Sequence, residues 1–417
     1  MRGHRDRCPR RARGRRDRRP RPITRHENAM SATEIALVTY STKPRGGVVH
    51  TLALAEALTA AGVAVHIVTL AEPGSDFFRH PDVPYTLVPT PPHADTLEQR
   101  VFDSVDALEN GLRSFGDRFA LVHTQDCISA RAAARVRDAG IGPRVVRTVH
   151  HIDDFTTTAL IDCQRRAVLE PDAVLVVSEV WRDMLHAEFG VDAQVVHNGV
   201  DVARFAPIAP AWRAELRARV GAADRFLFLA VGGVEPRKGS VHLFKAFARL
   251  RERMSPTPVL AVIGGQSFQD YEWYRTDALG QLGRLGLTLG RDVVLLGTVP
   301  EAEMAAWYRS ADALAFPSVK EGFGLAVLEA MSAEIPVVTS DLPVFREYLV
   351  AGRDALMAPV GDIPALTDAL HAVATDAALR KDLAAAGRLV AARFSWAACA
   401  EEHRAVYAGL LSAARPA

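Results

Sequence analysis

Residues 34–69 read EIALVTYSTKPRGGVVHTLALAEALTAAGVAVHIVT. An apolar run over 34–40 is followed by helical periodicity over 48–58, which Gly62 ends, and then by a second apolar run over 63–69. A strand, a helix and a strand in this order form a βαβ unit, which implies a parallel sheet with right-handed crossovers. The alternation continues to residue 196 and restarts at residue 226. The sequence therefore predicts an α/β protein with two doubly wound, Rossmann-like domains facing a central cleft.

The break between the two alternating regions predicts the domain boundaries. Residues 206–212 carry two prolines within four positions, which is typical of a linker. We therefore predict a first domain over 30–205, a linker over 206–212, a second domain over 213–394 and a terminal helix over 395–417. Ligands of such domains bind at the carboxyl ends of the strands and in the cleft between domains.

Charge is distributed unevenly along the chain of 417 residues. Residues 1–30 hold twelve arginines and three acidic residues, whereas the remainder holds 38 basic and 46 acidic residues. The body is mildly acidic, so bulk charge does not predict nucleic-acid binding. No apolar run approaches the ~20 residues of a membrane-spanning helix.

The arginine-rich segment 1–29 has almost no apolar residues, and we predict it to be disordered. It is open to three interpretations: a tail for nucleic acid or anionic lipid, a tail without function, or a mis-assigned start. Met30 offers the alternative start, because a strand pattern follows it almost at once.

The four cysteines lie far apart without CxxC spacing, which argues against a disulfide scaffold and a Cys-rich zinc site. They are compatible with a reducing compartment, and the N-terminus lacks the apolar core of a secretory signal, so we predict a cytoplasmic protein. The G-x-S-x-G, H-E-x-x-H and kinase signatures are absent from the sequence.

Residues 321–331, EGFGLAVLEAM, are the strongest chemical signal. Gly322 and Gly324 allow a ligand to approach the backbone closely, and free amides at a helix N-terminus bind anions. Glu321 and Glu329 are eight positions apart, which places them within ~80° of each other on a helix, so both carboxylates can address one ligand. Carboxylates suit hydroxyls rather than phosphates, so the motif predicts a site for a nucleotide sugar.

Three further segments carry candidate site residues. Arg237 and Lys238 lie in the strand-to-helix loop VGGVEPRKG at 231–239, where a leaving diphosphate needs countercharge. Gly46 and Gly47 open the first helix and predict a second close approach. His150 and His151 follow a strand and point to opposite faces, so we predict a structural role for His151. We predict that His150 donates a hydrogen bond near the transferred group.

Together these pieces resemble the family-4 retaining glycosyltransferases of GT-B architecture, over residues 34–412. The resemblance is carried, in order, by Gly46–Gly47, LVHT at 121–124, Thr148-Val-His150, VHNGVDVARF at 196–205, EPRKG at 235–239, LGTV at 296–299, FPSVKEGFGLAVLEAM at 316–331 and PVVTSDLP at 336–343.

The resemblance implies that the second domain binds a nucleoside-diphosphate sugar and the first binds the acceptor. Lys238 and Arg237 would neutralise the diphosphate, and Gly46 and Gly47 would line it from the other side. His150 would lie by the donor sugar. The donor would otherwise be held by Glu321 and Glu329, by the backbone of Thr298 and Val299, and by the segment Gly322, Phe323, Gly324 and Leu325.

It also implies transfer of a hexosyl-type group with retention, by a front-face mechanism without a metal or another cofactor. The acceptor is a hydroxyl on an unidentified small molecule, glycan or lipid, so peripheral membrane contact stays open, as does the oligomeric state. No nucleic-acid partner is expected.

Two positions depart from the family pattern. Gly233 stands where a basic residue is usual, and Glu334 stands where Gly is usual, which we interpret as a surface substitution. Gly233 is the one feature that favours a non-catalytic sugar-nucleotide-binding relative. A sugar-nucleotide epimerase or a phosphorylase of GT-B architecture is the other alternative.

Overall fold

A computed structural model describes residues 34–265 and 271–413. The arginine-rich segment 1–29 lies outside these ranges. Among the described residues, every helix is too short or too polar to cross a membrane.

The first domain is built on a parallel sheet with the strand order β3-β2-β1-β4-β5-β6-β7. Its strands are β1 Glu34–Thr39, β2 Val65–Ala71, β3 Tyr85–Pro89, β4 Phe119–Thr124, β5 Arg144–Val149, β6 Ala173–Val176 and β7 Gln194–Val195. The helices between them are α1 Gly46–Ala60, α2 Leu97–Arg113, α3 Cys127–Asp138, α4 Thr158–Leu169 and α5 Glu179–Phe189.

The second domain repeats this arrangement with the strand order β10-β9-β8-β11-β12-β13, again all parallel. Its strands are β8 Leu227–Val231, β9 Val259–Ile263, β10 Val293–Gly297, β11 Ala313–Phe316, β12 Val337–Ser340 and β13 Leu356–Ala358. Its helices are α6 Pro210–Arg219, α7 Ser240–Glu252, α8 Glu272–Gly280, α9 Glu301–Ser310, α10 Leu325–Ser332, α11 Pro343–Arg346, α12 Ile363–Thr375 and α13 Ala377–Ala391.

The strands are largely apolar because helices cover both faces of each sheet. All seven residues of β2 are buried, and Leu37 of β1 packs on one face of the first sheet while Val38 packs on the other. The predicted two-domain, Rossmann-like α/β fold is confirmed.

The last helix, α14 Trp396–Ser412, packs against α1 of the first domain. Tyr407 and Cys399 of α14 join the core that α1 shares with the first sheet. The N-terminus of α14 lies close to Gly199, where a Cβ would be 2.3 Å from the amide nitrogen of Trp396.

The predicted linker is shorter in the structure. Helix α6 already begins at Pro210, so only 206–209 of the predicted linker is irregular. Two helices fill residues 363–391, because Asp376 ends α12 and its carboxylate accepts hydrogen bonds from the amides of Ala378 and Leu379 in α13. The sequence patterns did not predict β3, α2 and α4 in the first domain, or α6, α8, α9, α11 and β13 in the second.

The strand order reverses between β1 and β4 in the first sheet and between β8 and β11 in the second. Ligands of doubly wound sheets bind outside the carboxyl ends of the strands at such a point. In this chain the loops at these points are 40–45 and 125–126 in the first domain, and 232–239 and 317–324 in the second.

Candidate functional site

Two cations of the loop after β8 meet a carboxylate of the loop after β11. Lys238 Nζ lies 2.7 Å from Glu321 Oε1, and Arg237 Nη1 lies 3.3 Å from the same oxygen. Burial alone would raise the pKa of Glu321, but the charges of Lys238 and Arg237 outweigh burial and hold that pKa below its usual value. The structure therefore brings three predicted site residues together as a partly buried cluster of two cations and one carboxylate.

Two glycines allow this loop to adopt its path. Gly232 has φ +120°, and a Cβ there would lie 2.4 Å from Lys238 Cε. Gly233 has φ +77°, and a Cβ there would lie 2.9 Å from the carbonyl oxygen of Gly265. A basic residue at Gly233 would be strained in this conformation, and Arg237 supplies a second positive charge beside Lys238.

The start of α10 presents backbone amides rather than side chains. Gly324 has φ +94° and precedes Leu325, the first residue of α10. The first amides of a helix have no carbonyl of a preceding turn to bind. The ring of Phe323 is buried against Tyr348, whose hydroxyl donates a 2.8 Å hydrogen bond to the Phe323 carbonyl. For Phe323, therefore, the backbone rather than the side chain is the candidate ligand contact.

Glu329 lies one turn into α10 and has a different partner from Glu321. The hydroxyl of Tyr308 donates a 2.7 Å hydrogen bond to Glu329 Oε2. Burial raises the pKa of Glu329, against the lowering effect of this hydrogen bond. The two carboxylates of the motif share no hydrogen-bond partner among the described residues, so they mark two separate positions along the site.

In the first domain, α1 begins at Gly46 as predicted. A Cβ on Gly47 would lie 3.7 Å from His150 Cδ2, so these two predicted site residues are neighbours. His150 Nε2 lies 3.0 Å from Gln125 Oε1, and burial is the main reason that the pKa of His150 falls to about 3. His151 turns to Asp153 at 3.4 Å, consistent with a structural role.

The two domains touch beside this cluster. The backbone of Gly322 lies so close to His150 that a Cβ would be 1.9 Å from the His150 carbonyl oxygen. Trp181 Nε1 of α5 donates a 3.0 Å hydrogen bond to the Glu321 carbonyl. His150 of the first domain is thereby held against the loop that carries Glu321.

A cavity of about 960 Å³ lies between the domains; it shares the loop 232–239 with the cluster, but Lys238, Arg237, Glu321 and His150 do not line it. The first domain contributes residues 40–45 and 70–72, and the second contributes residues 233–235, 264–265 and 295–297. Thr298 comes directly after the wall segment 295–297, and its Oγ1 lies 2.6 Å from a Cβ built on Gly265. Val299, the next residue, packs against the core of the second domain. The cavity therefore extends from the β1–α1 loop to the carboxyl ends of β9 and β10.

Sequence reasoning missed several residues that shape the site. Glu235 lines the cavity, and burial raises its pKa; it precedes Arg237 in the same loop, so the motif itself could have identified it. Tyr308 and Gln125 come from outside every motif, and no local signal marks them. Within the described ranges, no three His, Cys, Asp or Glu side chains converge as metal ligands, and the metal-free reaction stays a prediction.

The chain matches two family models in consecutive segments. Residues 44–204 match Glycosyltransferase Family 4, and residues 213–390 match Glycosyl transferases group 1. The chain is similar to the phosphatidyl-myo-inositol mannosyltransferase of Mycobacterium tuberculosis H37Rv, with 31% identity over 383 residues, covering 88% of this chain and 94% of the relative.

Two solved structures share the fold. Sucrose-phosphate synthase from Thermosynechococcus elongatus has a TM-score of 0.76 at 22% identity and covers 92% of this chain and 100% of its own. Anabaena HepE in complex with UDP-glucose has a TM-score of 0.72 at 19% identity and covers 90% of this chain and 99% of its own. The two family-model matches and the mannosyltransferase relative show the family, and the solved structures show the fold: the chain belongs to the family-4 glycosyltransferases of GT-B architecture.

Proposed function

We propose that this glycosyltransferase moves a hexosyl-type group from a nucleoside-diphosphate sugar to an acceptor hydroxyl with retention of configuration. The observation that carries the proposal is the cluster of Lys238, Arg237 and Glu321 at the switch point of the second sheet. A diphosphate placed there meets two cations, while its sugar hydroxyls meet a carboxylate that stays ionised.

The proposed role of each site residue follows from the groups that it contacts. Lys238 and Arg237 stabilise the negative charge that grows on the leaving diphosphate. The amides from Gly322 to Leu325 bind phosphate and sugar oxygens, and Glu329, fixed by Tyr308, accepts the ribose hydroxyls. The backbone of Thr298 and Val299 meets the base, and Gly46 and Gly47 border the diphosphate on the first-domain side.

In the front-face reaction the acceptor oxygen attacks the anomeric carbon from the side of the leaving group. The bond from that carbon to the phosphate oxygen breaks, and this oxygen takes the acceptor proton. The cations supply the charge stabilisation that a metal would otherwise provide, so we propose a metal-independent reaction in the cytoplasm. UDP-glucose bound to Anabaena HepE supports a nucleoside-diphosphate sugar as the donor.

The cavity supports a phosphorylated acceptor. Its volume is near the upper end of the ~300–1,000 Å³ typical of small-molecule sites, so it has room for acceptor groups beside the donor. Arg100 of α2 lines the first-domain wall and forms no ion pair within residues 34–265 and 271–413. The mycobacterial relative acts on phosphatidyl-myo-inositol. We therefore propose an acceptor that carries a phosphate near Arg100, either as a small polyol or as a lipid headgroup.

Removing the Lys238 charge tests the proposal. Lys238→Ala should lower kcat by the equivalent of about 2–4 kcal/mol, the scale of one preorganised electrostatic contact. Lys245→Ala, which changes an exposed lysine of α7, is the matched control. The assay follows nucleoside diphosphate released from UDP-, GDP- and ADP-hexoses, with myo-inositol phosphate or phosphatidylinositol vesicles as the acceptor.

The products separate the alternatives. Glycosylated acceptor with retained configuration, formed equally fast in EDTA, agrees with the proposal. Wild-type turnover by Lys238→Ala would contradict the diphosphate role. An isomerised sugar without glycosylated acceptor would favour the epimerase, and full loss in EDTA would require a metal.

A further inference from the structure

A chain of hydrogen bonds connects His150 to the last helix. His150 Nε2 lies 3.0 Å from Gln125 Oε1, and Gln125 Nε2 lies 3.3 Å from His123 Nε2. His123 Nδ1 lies 2.7 Å from the hydroxyl oxygen of Tyr407 in α14. Gln125, His123 and Tyr407 are all buried, so water does not compete for these contacts.

The chemistry of the amide assigns the protons along this chain. Gln125 Oε1 can only accept, so His150 Nε2 must carry a proton. Gln125 Nε2 can only donate, so His123 Nε2 must present a lone pair, which the hydroxyl of Thr148 also reaches at 2.8 Å. The single proton of neutral His123 then lies on Nδ1 and is donated to Tyr407. Each group donates in the direction of α14, and Tyr407 is the final acceptor.

The surroundings keep both histidines neutral. Burial is the largest cause that lowers the pKa of His123 and the pKa of His150. The charged and titratable groups that face His150 are His50, His123, His151, His403 and Arg147. These neighbours are basic, and they disfavour a second proton on His150.

With its one proton bound to Gln125, His150 presents the lone pair of Nδ1. This nitrogen forms no hydrogen bond with any residue of the described ranges, and the His150 backbone borders Gly322 at the domain contact. We propose that Gln125, His123 and Tyr407 are positioning residues that hold neutral His150 with its proton on Nε2, so that Nδ1 accepts a hydrogen bond from a hydroxyl of the bound sugar. The proposal rests on the proposed glycosyl transfer and reverses the donor role that the sequence predicted for His150.

The positioning role implies that Gln125, which is not itself proposed to contact the sugar, determines whether Nδ1 of His150 can accept a hydrogen bond. Gln125→Leu removes the acceptor for Nε2–H and leaves that proton without a partner. Gln125→Glu keeps an acceptor at the same point and adds a negative charge, which favours the protonated ring. Comparison of the two variants therefore distinguishes the effect of the hydrogen bond from the effect of side-chain packing.

The test is side-chain 15N NMR of the full chain labelled at histidine, without substrate. Histidine tautomers give distinct ring-nitrogen signals, and His150→Ala assigns the relevant pair. We expect Nε2–H in the wild type, the same tautomer with a raised protonation midpoint in Gln125→Glu, and a mixture in Gln125→Leu. Tyr407→Phe should change the signals of His123, while the exposed His186 of α5 stays unchanged in every variant.

Kinetics complete the test. Gln125→Leu should lower kcat about 10-fold, the effect of one lost hydrogen bond, and Gln125→Glu should recover part of it at neutral pH. Wild-type His150 with Nδ1–H, or an unchanged tautomer in Gln125→Leu, would overturn the proposal. If Gln125→Leu does not fold, Gln125→Glu and Tyr407→Phe still decide it. If the proposed glycosyl transfer is wrong, measurements of nucleotide-sugar binding will show it. The tautomer of His150 in the free protein does not depend on that result, so the two proposals fail separately.

Discussion

At the scale of single residues, Glu334 stands out because it has the conformation of a glycine. Its φ is +56°, the only left-handed value at a non-glycine position in the described residues. The resemblance noted in the sequence predicts Gly here, and an L-residue in this region costs about 1–2 kcal/mol of stability. The surface substitution predicted from the sequence is thus also a strained backbone position.

Glu334→Gly should raise the free energy of unfolding by about 1 kcal/mol, because relief of this strain exceeds the entropic cost of glycine. The substitution also removes an ion pair with Arg388, 3.7 Å away, which is exposed and of little weight. Thermal or urea unfolding measures the change, with Arg388→Ala as the control for the lost pair. A lower stability of Glu334→Gly would show that the strain is not real.

At the scale of elements, α14 binds to the first domain through a cluster of buried histidines. His403 of α14 lies with its ring 5.4 Å from His123 and 6.2 Å from His50, next to Tyr407 and Cys399. Burial lowers the pKa of His403 to about 4 and also lowers those of His50 and His123. The helix is therefore attached through groups that must stay neutral.

Acid should weaken this attachment. A histidine has a pKa of about 6.5 in the unfolded chain. As the pH falls from about 6.5 towards about 4, the unfolded state therefore binds protons that the folded state does not bind. Each such histidine then lowers the unfolding free energy by about 1.4 kcal/mol per pH unit. His403→Leu should reduce the slope of the unfolding free energy against pH by that amount. Urea titrations between pH 6.5 and 4 measure this slope. An unchanged slope would contradict the neutral packing of His403.

Sequence patterns predicted elements better than contacts between elements. The apolar runs of β1 and β2 and the periodicity of α1 are local, and the structure agrees with them within two residues. Helix α2 was missed although Val101, Val105, Leu108 and Leu112 recur at helical spacing on its buried face. The motif placed Glu329 on its helix, but its partner Tyr308 lies 21 residues away. His123 and Tyr407 are 284 positions apart, and no local pattern records such a pair.

At the scale of the whole molecule, a residue of one domain caps a helix of the other. The two carboxylate oxygens of Glu347 accept hydrogen bonds from the amides of Glu179 and Val180 at the start of α5, at 3.0 and 2.8 Å. A carboxylate at this position satisfies free amides and complements the helix dipole. The contact lies beside Trp181, which donates a hydrogen bond to the Glu321 carbonyl, so both contacts hold the two domains together.

Glu347→Ala should favour opening of the cleft, because the N-terminus of α5 loses a cap of about 0.5–2 kcal/mol. Small-angle scattering of the unliganded protein should show a larger radius of gyration, and the KM for the donor should rise. Glu401→Ala, an exposed position on α14, is the control. An unchanged radius and KM would mean that other contacts hold the domains together.

The most direct test of the central claim is donor binding by the full chain. Thermal unfolding is measured with millimolar UDP-, GDP- and ADP-sugars and the free diphosphates, since a ligand at 100 times its Kd stabilises the folded state by about 2.7 kcal/mol. We predict a raised midpoint with one nucleotide series and a much smaller rise in Glu329→Gln, which loses the charge that accepts the ribose hydroxyls. A folded protein whose midpoint no nucleotide sugar raises would contradict the assignment of the second domain as the donor site.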